Sequence, residues 1–165
     1  MIDAEKLAEN RGSMRELEKN IINLWGEQGK QWLTNLSALT EKIKMTHRLS
    51  NLKPIQNLSY NYVLSGLQGS QLIILKLGFD TEGLKREAFA LKAFAGFGVI
   101  KVLMEKDGML LLERAVPGIS LKSYFPEKEH DAIHITCECL KRLHKAPIPG
   151  YSCERDHRLS PSVIT

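Results

Sequence analysis

Leu72-Ile73-Ile74-Leu75-Lys76-Leu77 is the stretch on which the fold turns. Its five aliphatic residues read as a strand buried on both faces, and a single lysine interrupts them. A buried ammonium needs a partner, and the next segment offers one. From about Thr81 to Ala95, Leu84, Ala88, Leu91 and Phe94 fall on one face of a helix that Gly96 and Gly98 end. Glu87, three residues after Leu84 and four before Leu91, sits on or beside that stripe. Strand lysine and helix glutamate can then meet. An ion pair roughly breaks even against a hydrophobic replacement once desolvation is counted, so a pair kept here points to a task beyond stability. A lysine held by a carboxylate can present its ammonium to the α- and β-phosphates of a nucleotide. A lysine snorkelling from an edge strand beside a solvated glutamate is the other reading.

Outward from this stretch the pattern stays strand-like on both sides. Upstream the texture is β from Lys53, with Tyr60, Tyr62 and Leu64 alternating with Asn61, Val63 and Ser65. A turn at Gln68-Gly69-Ser70 then leads into the lysine strand, so the two strands pair antiparallel. Downstream, Val99–Glu105 and Met109–Leu112 flank Lys106-Asp107-Gly108, and Asp-Gly between apolar runs signals a hairpin. Val116-Pro117-Gly118 breaks the pattern as a connector. A last helix, about Lys128 to Lys145, carries Ile133, Cys137, Leu140 and Leu143 and stops before Pro147-Ile148-Pro149-Gly150; the final fifteen residues read as loop. Ahead of the sheet, residues 3 to about 48 read as helical with a break near Gly26 to Gly29, and Trp32, Leu33, Leu36, Leu39 and Ile43 form a stripe for core or docking.

The composition of the 165 residues, 43% apolar and 25% charged with a net charge of +4, is that of a soluble globular domain. Acidic and basic residues are mixed along the whole chain, which argues against nucleic acid or an anionic membrane as partner. No apolar run approaches the ~20 residues of a membrane helix, and the N-terminus lacks signal-peptide order, so a cytoplasmic location is expected. Cys137, Cys139 and Cys153 show no CxxC spacing and read as free thiols.

The order of strand, turn, strand, lysine strand, glutamate helix, hairpin and connector is that of a kinase N-terminal lobe. With it come WGEQGKQWL (Trp25–Leu33), LSYNYV (Leu58–Val63), LKLG (Leu75–Gly78), KREAFALKAFAGFG (Lys85–Gly98), LLLERAVPGISL (Leu110–Leu121) and CLKRLHKAP (Cys139–Pro147). In these residues, over about 24 to 150, the chain resembles the aminoglycoside phosphotransferase group of kinase-like proteins, most of all its streptomycin 6-kinase and hydroxyurea-resistance kinase branch. The resemblance implies that Lys76 is the phosphate-binding lysine and Glu87 its helix partner. It also makes Leu58–Tyr62, with Ser59 and Asn61, the turn over the nucleotide phosphates, and Glu113–Val116 the hinge behind adenine. The turn has no GxGxxG, and Ser59 equally fits an ordinary turn residue. Hinge residues meet adenine through backbone groups, so the side chains of Glu113, Arg114 and Ala115 should be tolerant of change. ATP and Mg2+ are the implied cofactors, and the implied chemistry transfers the γ-phosphate to an alcohol group of an aminoglycoside-type antibiotic, giving resistance.

The expected fold is therefore α+β. A kinase-like N-terminal lobe, an antiparallel sheet of about five strands with one packed helix, occupies residues 51–116. A helical segment (1–50) precedes it, and a connector with one helix and a loop tail (117–165) follows. In the resembling family an HGD-type loop, an asparagine and a metal-binding aspartate lie in the C-terminal lobe, and none is found here. Glu129-His130-Asp131 and Asp156-His157-Arg158 are the nearest strings and read as surface residues. Alone, the chain is expected not to turn over, whether it is a fragment, a truncated product or one half of a two-chain enzyme. An exposed apolar face would then favour a homodimer or a complementing C-terminal lobe. A rival metal site, His130, His134 and Cys137 on one helical face, is weighed against simple packing of Cys137 with Ile133 and Leu140. His144, near the helix end, suits a cap or packing role. The competing functional reading is a non-enzymatic remnant, a protein-interaction or oligomerisation module that keeps the lobe's fold.

Overall fold

A computed structural model describes residues 4–56 and 58–147, so Cys153, Pro149-Gly150, the loop tail and Asp156-His157-Arg158 lie outside the described residues. The order of elements is α1 (Ala4–Thr46), β1 (Leu49–Pro54), β2 (Asn61–Gln68), β3 (Gln71–Gly78), α2 (Thr81–Ala93), β4 (Val102–Lys106), β5 (Met109–Glu113) and α3 (Glu129–Leu143), with a 3-10 turn at Leu121–Tyr124 before α3. The five strands form one antiparallel sheet in the order β1-β2-β3-β5-β4. This α+β arrangement, with α2 packed on the sheet, is compatible with a kinase-like N-terminal lobe.

The lysine strand is covered on both sides, as its sequence implied. On one face Ile73, Leu75 and Leu77 of β3 and Met109 and Leu111 of β5 meet Leu36 of α1, with Trp32, Leu33 and Ile43 beside it. On the other, Leu110 and Leu112 of β5 meet Leu84 and Ala88 of α2, with Ile74 beside them. The period of two along β3 and β5 sorts side chains between two helical layers, and this is why β5 is buried along nearly its whole length. Burial also pushes the Tyr62 hydroxyl above the ordinary tyrosine range.

Two turns follow from local chemistry. Asp107 and Gly108 both take positive φ (45° and 77°), the backbone of a two-residue hairpin turn whose twist suits the strands it joins. Asp80 caps α2, its carboxylate accepting from the Gly83 N–H at 2.8 Å. The strand β1 begins at Leu49, earlier than the change of texture at Lys53 suggested. Arg48 and Asn51 have positive φ and the β1–β2 register shifts between Ser50 and Lys53, so this edge strand lacks clean alternation and pairing with β2 defines it. β4 starts at Val102, three residues later than the apolar run beginning at Val99.

The break expected near Gly26 is an elbow. Gly26 has φ 55° and ψ −131°, a conformation that glycine tolerates and side chains resist, and it splits α1 into two arms. Just beyond it Gly29 lies against the first arm, where a Cβ would stand 2.7 Å from the Ile21 carbonyl oxygen. Gly12, by contrast, has open space around it. Helix propensity favours alanine over glycine at both sites by up to about 1 kcal/mol. Gly12→Ala should therefore raise the urea midpoint, while Gly29→Ala should lower it, with a loss of stability of roughly 1–3 kcal/mol because two backbones must separate. Shifts of the same sign would show that the elbow is not tight.

Candidate functional site

The ladder and the helix phase together bring Lys76 and Glu87 into contact. Lys76 stands on the α2 side of β3, flanked in the sheet by Val63 of β2 and Leu110 of β5. Buried Leu84 and Ala88 seat α2 on the same face and turn Glu87 toward the strand. Lys76 Nζ donates to Glu87 Oε2 at 2.6 Å. The lysine side chain is 21% exposed and the glutamate 36%, so the pair sits at the rim of the core rather than inside it. At that exposure an ion pair contributes about 0–1 kcal/mol to stability. What the contact provides is position: an ammonium held at the sheet surface within reach of solvent.

Beside Glu87 lies a cavity of about 360 Å³. Asn61, at the start of β2, lines it with Tyr60, Asp80 and Trp25. Ser59 does not line it; it is exposed, and its backbone carbonyl accepts from Asn20 Nδ2 of α1 at 3.0 Å. A larger cavity, about 440 Å³, opens on the opposite side of the sheet between α1, β1 and β2 and includes neither Lys76 nor Glu87. The smaller cavity is the one next to the charged pair.

The hinge candidates stand at the other end of β3. Ile73 pairs with Glu113 whereas Gly78 pairs with Asn61, a separation of five residues or about 17 Å along the strand. The Glu113 N–H donates to the Lys101 carbonyl at 3.0 Å, and the Arg114 N–H to the Leu72 carbonyl at 3.1 Å. Arg114 and Ala115 are exposed. The Glu113 side chain is not idle, because its Oε1 accepts from the Lys101 N–H at 2.8 Å. The carboxylate thus ties down the backbone entering β4, a contact the sequence did not suggest.

The structure thus joins Lys76 to Glu87, has Asn61 and Glu87 line one cavity, and leaves Ser59, in the turn ahead of β2, and Glu113–Ala115, at the far end of β3, outside that cavity. Asn20, Trp25 and Asp80 were not identified from sequence as belonging near the site. Asp80 carried a readable signal, an acidic residue just before a helix; Asn20 carried none. On α3, His130, His134 and Cys137 are all exposed, and no group of three His, Cys, Asp or Glu side chains converges among the described residues. Ile133 and Leu140 are exposed as well, so the stripe expected to pack Cys137 has no cover among the described residues. Charges elsewhere are surface pairs: the Glu82 hydrogen bond raises the Lys85 ammonium, and the Lys141 hydrogen bond lowers the Glu138 carboxyl. Among the described residues no helix is long and apolar enough to cross a membrane.

A family model described as aminoglycoside/hydroxyurea antibiotic resistance kinase matches residues 51–153, from within β1 to beyond α3. No curated protein and no solved structure matches the chain.

Proposed function

The chain belongs to the aminoglycoside/hydroxyurea antibiotic resistance kinase family, and from that premise we propose that its sheet and α2 hold the nucleotide of an ATP-dependent phosphotransferase acting on an alcohol group of a streptomycin-type antibiotic. The observation that carries this reading is the 2.6 Å contact between Lys76 of β3 and Glu87 of α2. Held by Glu87, the Lys76 ammonium is placed for the α- and β-phosphates. Ser59 and Asn61 lie at the phosphate end and Glu113, Arg114 and Ala115 at the base end, a two-ended layout that suits an extended nucleotide. Because the Glu113 and Arg114 N–H groups are already engaged in the sheet, adenine would meet other backbone groups of the 113–116 segment.

Mg2+ supplies charge neutralisation when such a nucleotide is bound. The described carboxylates do not make a site for it: Glu87 is committed to Lys76, and Asp80 to the Gly83 N–H. The proposal is therefore one of nucleotide holding, carried by Lys76 and Glu87, and the transfer step is not assigned to these residues. Calorimetric titration with Mg-ATP should show saturable one-to-one binding, weakened about tenfold in Glu87→Gln, whose neutral amide holds the ammonium less firmly. The exposed apolar side chains of α3, Ile133, Ile135 and Leu140, favour the second reading, a protein-interaction module with the same fold. Absence of ATP binding together with a stable oligomer would decide for it.

A further inference from the structure

The first arm of α1, which precedes the residues matched to the family, is fastened to the turn ahead of β2. Leu17 and Ile21, four apart on one helical face, are fully buried against Leu58, itself 3% exposed. Asn20, adjacent on that face, donates to the Ser59 carbonyl at 3.0 Å. One turn further on, the Trp25 ring lies 5.2 Å from that of Phe79, just past the end of β3. The elbow at Gly26 and the close approach at Gly29 fix the direction of this arm. Two kinds of contact, apolar and polar, thus meet on the stretch Leu58-Ser59-Tyr60-Asn61, which has no glycine of its own, and the aromatic one ties the same arm to the end of β3.

We infer that this arm is a clasp for the phosphate turn and that Asn20 is a positioning residue for it, fixing the Ser59–Tyr60 peptide so that the Tyr60 N–H is directed away from α1 toward a phosphate oxygen. The Ser59 carbonyl and the Tyr60 N–H belong to one planar trans peptide and point in opposite directions. Holding one therefore aims the other. A turn ordered before the ligand arrives loses less conformational entropy on binding, and the gain is confined to the groups that touch phosphate. The inference rests on the nucleotide reading above and extends it to a segment outside the matched residues.

Asn20→Leu removes the donor while keeping the size of a side chain that is half-buried at the edge of that face. Two measurements are needed: hydrogen exchange of the amides of residues 58–61 without ligand, and calorimetric affinities for ATP and for adenosine. In the variant, those amides should exchange faster, ATP affinity should fall roughly fivefold to tenfold, and adenosine affinity should stay within about twofold. A purely structural role for Asn20 would weaken both ligands alike and leave their ratio unchanged, which overturns the inference. Unchanged exchange at residues 58–61 overturns it as well. Wild-type protein that binds neither ligand removes the nucleotide reading and the phosphate assignment with it, while ATP binding with an unmoved ratio overturns the clasp alone.

Discussion

Lys76→Ala is expected to remove the rise in melting temperature that saturating Mg-ATP gives the wild-type protein. A ligand at a hundredfold excess over its Kd stabilises the native state by about 2.7 kcal/mol, which for a chain of this size is a rise of roughly 5–10 °C. The variant should show almost none of it, because Lys76 is the ammonium that β3 and α2 bring to the proposed phosphate position at 2.6 Å from Glu87. The fold should survive the change. Glu87 is 36% exposed and can be hydrated once its partner is gone, so the unliganded protein should lose no more than about 1 kcal/mol. Lys76→Met, which keeps the packing of the aliphatic stem, separates the two effects and should behave like the alanine variant toward nucleotide. An undiminished Mg-ATP shift in either variant would sink the assignment of Lys76.

A large loss of stability is expected from Leu110→Ala. Leu110 is fully buried, stands opposite Lys76 in the β3–β5 ladder, and belongs to the cluster with Leu84 and Ala88 that seats α2. Leucine-to-alanine changes at such sites cost about 2–5 kcal/mol through lost transfer energy and the cavity left behind. That is a large share of the about 5–15 kcal/mol that holds a domain folded. The cavity opens beneath α2, so Glu87 should lose its fixed position and ATP affinity should fall along with stability. Leu75→Ala, one residue from Lys76 but on the α1 side of the sheet, should cost similar stability while leaving the affinity of the folded protein nearly intact. Denaturant titration gives the first quantity and calorimetry well below the transition gives the second. A loss under about 1 kcal/mol in Leu110→Ala would mean that α2 is not anchored through this cluster.

The central sheet was legible in the sequence because its signals are local and periodic. The apolar run at Leu72–Leu77, the Asp107-Gly108 turn and the stripe Leu84, Ala88, Leu91 each fixed an element and its facing, and the lysine out of place in the run led to Glu87. Where the sequence was less informative, the deciding contact was distant in the chain. β1 has a positive-φ residue, Asn51, and a register shift, and pairing with β2 makes it a strand. The Glu113 side chain ties down Lys101, twelve residues away, a contact the sequence did not suggest.

The sequence by itself determined the α+β order, the covered strand β3, the hairpin and the break in α1, and it made Glu87 the candidate partner of Lys76. Each depends on side-chain period, turn chemistry or the phase of one helix against one strand, all set within about fifteen residues. Only the tertiary structure decided that the pair lies at the rim of the core and that α3 leaves Ile133 and Leu140 exposed. It alone decided that Asn20 reaches Ser59 across thirty-nine residues. The physical reason is common to these three: burial and contact between distant segments depend on how whole helices seat on the sheet, and one helix's own periodicity shows which face is apolar but not what that face will meet.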